Sequence, residues 1–467
     1  MTLVERLQAM RDGDVPTHGG RTLAYVYDSG LAEADAIGRE ALGMFASSNG
    51  LDPTAFPSLL TMENDLIDRA ARLLDAPDTA VGAVTSGGTE SILLAVQTAR
   101  DARPDTQRPS MVLPTSAHAA FHKAAHYFGV ERRMVDVDPT TMRADPTAMA
   151  AAIDSDTVLV VVSAPSYAHG VVDPVGPVAE AAASAGVRCH VDACIGGWVL
   201  PYLPEPPAGP WTFAVDGVTS ISVDLHKYAY TPKGVSVLLH RDAALRRPQF
   251  FASADWPGYT MLNATTQSTK SGGPLAAAWA VTQHIGTDGY AELARTARSG
   301  LTELAAGMAE VEHINVIAEP DSTLLAVETD DACDVFTIAD AMLDRGWYVQ
   351  PQLSFRGRPP SLHLTVSAAT APHVPEFLSA FREAVRQAAG AGPIEVAPEL
   401  AAAAHTLDPA TLDDDAFDGL LEIAGLGGAG TVEMPQRMAP VNALLDTAPP
   451  ALREALLIAY LDRLTRR

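Results

Sequence analysis

The residues best suited to chemistry stand in Thr219–Val237, TSISVDLHKYAYTPKGVSV, where Asp224, His226 and Lys227 close an apolar run. A lysine that is desolvated or set beside other cations loses its proton more readily, and the neutral amine is a nucleophile toward aldehydes. A second carboxylate, Asp192, lies in CHVDACIGGW, and a flat imidazole, His118, precedes the helix-like AHAAFHKAAHYFG. Ser86-Gly87-Gly88-Thr89 is a small-residue turn leading straight into SILLAVQTA. Backbone N–H groups at such a helix start, with the macrodipole behind them, favour an anion, and glycine lets a phosphate come close. His118, His122 and His126 share a helix face at four-residue spacing, which raises a metal site. No carboxylate accompanies them, so the expectation is no metal.

The elements that must position these groups follow from periodicity. Ile221 and Val223 alternate with Ser220, Ser222 and Asp224, a strand pattern that breaks at Leu225-His226-Lys227, and Gly234–His240 reads as another buried strand. Lys227 is therefore expected in a connection between two strands, where sites of α/β sheets are built. Upstream, MVLPT, RMVDVD, TVLVVVSA and RCHVDAC alternate with helical stretches, among them Pro146–Ile153 and VGPVAEAAASAG. Near-continuous Val/Leu/Ile runs between helices predict a mostly parallel sheet covered on both faces. Thr89, His118, Asp192 and Lys227 all fall at or just beyond strand ends, where ligands sit in such folds. An amine for an aldehyde, a carboxylate for a pyridine nitrogen, a stacking ring and an anion cradle together match what pyridoxal 5'-phosphate requires.

Composition limits the alternatives. The 467 residues are 47% hydrophobic, enough for a large core, and the net charge of −25 argues against nucleic acid or an anionic membrane as partner. Three cysteines, Cys189, Cys194 and Cys333, suggest a reduced, cytoplasmic setting rather than a disulfide framework, and no export signal or membrane span is expected. Four segments are expected: an N-terminal helix and arm (1–60), a large cofactor domain (61–300), a smaller α+β domain (301–390), and a linker with a C-terminal helical extension (391–467). Pro53 and Pro57 should keep the arm from being one long helix, with an amphipathic helix beginning near Thr61. The Ala/Gly-rich chain after Gln387 reads as linker. The stripe of Leu457, Leu461 and Leu464 in the last helix reads as core or dimer packing.

SGGTES, TSAHAAFHKAAHYFG, SAPSYAHGVVDP, HVDACIGGW, SVDLHKYAYTPKG and SGGPLAAAW occur in the order and with the separations of sphingosine-1-phosphate lyases. The chain thus resembles that group within the pyridoxal-dependent (group II, glutamate decarboxylase-like) decarboxylase family. The resemblance runs from about Val26 into the early 300s, and more loosely through GLGGAGTVEMPQRMAPVNALL. It implies the fold-type I, aspartate aminotransferase-like architecture with pyridoxal 5'-phosphate as cofactor. Lys227 would be the Schiff-base lysine, Asp192 the pyridinium partner, His118 the stacking ring, and Gly88, Thr89 and His226 phosphate ligands. The loop around Thr269, Lys270 and Gly272 would reach a partner subunit's cofactor, implying a homodimer with shared sites. Tyr27, Tyr228 and Lys233 match the substrate pocket, with Tyr228 a candidate for moving protons. Where the family arm carries Asn-Pro-Leu-His-Pro this chain reads NGLDP, placing Asp52 at the substrate. Lys270 stands where an arginine is usual.

The expected activity is carbon–carbon lysis of a small β-hydroxy amine or amino acid by retro-aldol cleavage, giving an aldehyde and an amine. Amino-acid α-decarboxylation uses the same cofactor cage and is the alternative. A non-catalytic scaffold would require a damaged cage, and Lys227, Asp192 and His118 are all present.

Overall fold

The buried apolar runs form the centre of the molecule in a computed structural model that describes residues 1–207, 209–423, 427–428, 431–432 and 437–466. The chain forms two units. The first comprises Met1–Glu303, Ile317–Leu325 and Thr365–His373, the second Leu304–Val316, Ala326–Leu364 and Val374–Arg467.

In the first unit, an exposed helix α1 (Leu3–Arg11) is closed by a capping box between Thr2 and Glu5. It is followed by α2 (Ala32–Met44) and α3 (Pro57–Leu73). Pro57 opens α3 rather than barring it. Its missing N–H falls where a helix has no partner for it, so the helix begins before the expected Thr61. Seven strands follow: β1 (Val81–Thr85), β2 (Ser110–Pro114), β3 (Glu131–Val135), β4 (Thr157–Ser163), β5 (Arg188–Asp192), β6 (Ser220–Asp224) and β7 (Ser236–His240). They lie side by side in the order β1-β7-β6-β5-β4-β2-β3. β2 to β6 run parallel, and β7 is antiparallel to both β1 and β6. Every residue of β4 is buried, as its uninterrupted Val/Leu run requires. Helices α4 (Gly88–Asp101), α5 (Ala120–Phe128), α6 (Pro146–Ala151) and α7 (Val175–Ser184) supply the crossovers.

Register fixes the site. Ser163 pairs with Asp192 and Asp192 with Ser222, so β4 and β5 finish level and β6 runs on to Asp224, which pairs with Ser236 of β7. Because β7 returns antiparallel beside β6, the eleven-residue connection that carries Lys227 stays over that edge.

A four-stranded sheet, most of whose residues belong to the second unit, has the order Ile314–Val316, Leu324–Thr329, Ser361–Thr365, Gln350–Gln352. The aromatic core of the second unit joins Trp347 to Phe377 at 5.1 Å and Phe377 to Phe381 at 5.9 Å. The Ala/Gly-rich chain after Gln387, expected to be linker, carries helices at Pro398–Thr406, Asp414–Ile423 and Ala439–Thr447. Alanine is the strongest helix former, and its abundance there is a helix signal. The last helix, Pro450–Thr465, leaves Leu457, Leu461 and Leu464 exposed in the single chain. GLGGAGTVEM lies largely outside the described residues.

Candidate active site

A cavity of about 470 Å³ opens over the carboxyl ends of the central strands. Its walls bring together Gly88, Thr89, His118, Asp192, His226, Lys227 and Lys233, along with Ser163, Tyr167, Cys194 and Asp224.

β6 delivers Asp224, and the turn after it swings Lys227 back so that its Nζ lies 2.8 Å from Asp224 Oδ2. Burial works against the charge on Lys227, but Asp224, Tyr27 and Cys194 together outweigh it and hold the amine above its ordinary range. Burial likewise works against the Asp224 carboxylate, and Lys227 and His226 overcome it, so its pKa is lowered. Ser236 on β7 anchors the other oxygen at 2.5 Å. The Nδ1 of His226 is 2.9 Å from the Val235 carbonyl, which it meets as donor, and its Nε2 faces Asp224 at 3.6 Å. Burial pulls the His226 pKa down, so the neutral ring is favoured.

On the opposite wall, Asp192 ends β5 and accepts a hydrogen bond of 3.1 Å from the Cys194 N–H. His118 opens into the cavity, where its Nδ1 accepts from the Ala120 N–H at 3.2 Å and its ring meets Tyr167 edge to face. Protein around that ring lowers its pKa through desolvation, with Asp192 working the other way.

α4 points its N-terminus at the cavity. Gly88 is required there: a Cβ would lie 2.7 Å from both Asp224 Oδ1 and Cys194 Sγ. Glu90, 5% exposed, accepts from the Ser86 N–H and hydroxyl through one oxygen, at 2.7 and 2.9 Å. The other oxygen accepts from the Thr266 N–H at 2.9 Å. The turn that offers its N–H groups to an anion is thereby tied to the chain before Thr269.

Lys233 stands at the mouth of the cavity. Its amine donates to the carbonyls of Tyr25 at 2.9 Å and His226 at 3.3 Å, and lies 5.1 Å from the centre of the Tyr27 ring. Burial, helped by the Lys227 charge, pulls it down to about 8.

The other expected site residues lie off this cavity. Tyr228 is buried and donates its hydroxyl to the Val366 carbonyl at 2.9 Å; its ring meets Tyr27 at 5.0 Å. Asp52 is exposed and closes its own turn, accepting from the Thr54 N–H and hydroxyl at 2.8 and 2.6 Å. Lys270 pairs with Glu63 at 2.7 Å, the Gly272 N–H donates to the Ser48 carbonyl, and Thr269 is exposed. Asp224, Glu90 and Cys194 were not singled out by role from the sequence. Asp224 carried a signal, since the alternation that puts Ser220 and Ser222 on one face of β6 ends on it, and Glu90 opens the helix that follows the glycine pair.

The residues present fit pyridoxal 5'-phosphate. A glycine cradle at a helix start suits its phosphate, a strand-end carboxylate its ring nitrogen, an imidazole its ring face, and a buried amine its aldehyde. Together with the mostly parallel sheet, this site defines a fold-type I pyridoxal-phosphate enzyme. The "Pyridoxal-dependent decarboxylase conserved domain" matches residues 18–328, and the "Pyridoxal-dependent enzyme, C-terminal putative HTH domain" matches residues 398–463. The chain is 36% identical over 369 residues to the sphingosine-1-phosphate lyase of Dictyostelium discoideum, covering 78% of this chain and 69% of that one. Against the sphingosine-1-phosphate lyase of Arabidopsis thaliana it is 37% identical over 389 residues, covering 80% and 70%. The solved sphingosine-1-phosphate lyase of Burkholderia pseudomallei K96243 superposes with a TM-score of 0.78 at 34% identity, over 83% of this chain and 90% of that one. The chain belongs to the pyridoxal-dependent decarboxylase family, as one of its sphingosine-1-phosphate lyase-like members, and is a pyridoxal-phosphate-dependent lyase. Among the described residues, no helix is long and apolar enough to cross a membrane.

Proposed function

We propose that the enzyme cleaves the Cα–Cβ bond of a β-hydroxy amine or amino acid by retro-aldol chemistry, releasing an aldehyde and an amine. The observation that carries this reading is the cation at the cavity mouth. Lys233 is held beside His226 and over Tyr27 in the lining of the cavity, and offers a second anion site for a phosphorylated substrate. The relatives named above act, by their names, on a phosphorylated amino alcohol.

Bound pyridoxal phosphate supplies an electron-withdrawing ring that takes up the electron pair of the broken bond. Around it, Lys227 provides the amine that anchors the cofactor and yields to the substrate amine. Asp192 would hold a proton at the ring nitrogen, and His118 would offer its imidazole to the ring face. Gly88 and Thr89 give backbone N–H groups to the phosphate, with His226 beside them. Once displaced, Lys227 is the cavity's mobile base, placed to take the substrate's hydroxyl proton and return one to carbon. Tyr228 spends its hydroxyl on Val366, so in this reading it shapes the pocket behind Tyr27.

We further propose a cytoplasmic homodimer. Thr269, Lys270 and Gly272 do not line this chain's own cavity, which suits a loop that serves a partner's. The test compares aldehyde release from phosphorylated and unphosphorylated amino alcohols by holoenzyme and by Lys233→Met. The reading requires a preference for the phosphorylated compound that the variant loses. Equal rates on both compounds with the parent enzyme would refute it.

A further inference from the structure

Asp224 is the carboxylate that holds the lysine, and it is itself held from several sides. Its Oδ2 meets Lys227 Nζ at 2.8 Å and His226 Nε2 at 3.6 Å, and its Oδ1 accepts from Ser236 Oγ at 2.5 Å. It is 2% exposed, and its oxygens stand where a side chain at Gly88 would begin. Asp192 is differently placed, with an oxygen given to the Cys194 N–H. The cavity therefore holds two carboxylates in two environments, one facing the ring position and one locked to the nucleophile.

We propose that Asp224 is the positioning residue for Lys227: it clamps the amine as its counter-ion in the cofactor-free protein, and cofactor loading has to open that clamp. The inference rests on Lys227 being the lysine that takes the cofactor. To condense with the aldehyde, Lys227 Nζ sheds one proton and its lone pair bonds the aldehyde carbon. The aldehyde oxygen then leaves as water, carrying the two remaining amine protons, and C=N replaces C=O. The ion pair opposes the first of these events, because it stabilises the ammonium.

The other titratable groups around the pair are Asp192 and Cys194 from the end of β5, Tyr27 from the arm, His118 ahead of α5, and Lys233. Burial lowers the pKa of both His118 and His226 and raises that of the Cys194 thiol, so these three favour their neutral forms. Lys233 is a further cation. Asp224 is the anion in hydrogen-bond contact with the amine.

The experiment mixes the full-length, cofactor-free protein with pyridoxal phosphate from about pH 6 to about pH 10 and follows the rise of visible absorbance. Borohydride then fixes the adduct, and the modified lysine is located by peptide mass. Asp224→Asn keeps the shape and the Ser236 contact but removes the charge. Its rate profile should move down by at least about one pH unit, with loading near neutrality about tenfold faster or more. Ser236→Ala loosens the anchor and should shift the profile the same way by less. An Asp224→Asn profile superimposable on the parent's, or slower loading throughout, overturns the proposal. Should that variant not fold, an unshifted Ser236→Ala profile overturns it equally. An adduct fixed on a lysine other than Lys227 would instead overturn the reading of Lys227, a result separable from the first because the peptide differs.

Discussion

Gly88→Ala puts the geometry of the site under direct strain. The added Cβ would lie 2.7 Å from Asp224 Oδ1, 2.7 Å from Cys194 Sγ and 2.8 Å from Asp224 Oδ2. None of these atoms is a free end that can swing aside: Cys194 is 5% exposed, and Asp224 is fixed by Ser236 and Lys227. Alanine gains up to about 1 kcal/mol over glycine inside a helix, and less in a first turn. Overpacking a tight site costs about 1–3 kcal/mol. The clash wins, leaving a net loss of roughly 1–2 kcal/mol. For a domain of this size that lowers Tm by roughly 2–8 °C, at about 2–4 °C per kcal/mol. The same displacement disturbs the anion cradle, so cofactor Kd should rise about tenfold for each 1.4 kcal/mol lost. Circular dichroism melting of the cofactor-free protein and a spectrophotometric cofactor titration read the two effects. A variant that melts higher than the parent and binds cofactor within twofold would refute the packing described for Gly88.

Lys227→Ala should remove both the visible absorbance of the holoenzyme and its turnover, and a yellow, active variant would sink the assignment. Lys233 is charged below about pH 8 and neutral above, so inhibition by inorganic phosphate should hold below that value and weaken as pH rises through it. Lys233→Met should flatten this dependence. Lys270→Met leaves Glu63 without its 2.7 Å partner, at side-chain exposures of 16% and 19%. A loss of roughly 1–3 kcal/mol is expected, less than for a fully buried pair, and denaturant unfolding measures it. Residues 398–463 match an HTH domain yet carry Asp413-Asp414-Asp415 and no lysine. Gel retardation should therefore show no binding to duplex DNA at physiological salt.

Much of the centre of the molecule was legible because its signals are local. Unbroken Val/Leu runs demand burial on both faces, and the break in alternation after Asp224 placed Lys227 in a turn. What escaped was set by partners distant in the chain. Glu90 looks like an ordinary first-turn acid until Thr266 arrives from elsewhere, and nothing local in the chain marks Glu63 as the residue that meets Lys270. Asp52 is read at the substrate from the alignment of the arm, and within the single chain its oxygen closes the turn at Thr54. The last helix, Pro450–Thr465, is legible from its leucine stripe, whereas Pro398–Thr406 escapes because its alanines read as low complexity although alanine is the best helix former.

The bond that breaks is the centre of the account. Holoenzyme should be incubated with a phosphorylated β-hydroxy amine and, separately, with β-hydroxy α-amino acids, whose Cα bears both a carboxylate and the carbinol carbon. Product mass spectrometry then shows which bond was cut. Retro-aldol cleavage predicts an aldehyde together with the shortened amine, and no carbon dioxide. Carbon dioxide with the hydroxy amine left intact, and no aldehyde from any substrate, would contradict it.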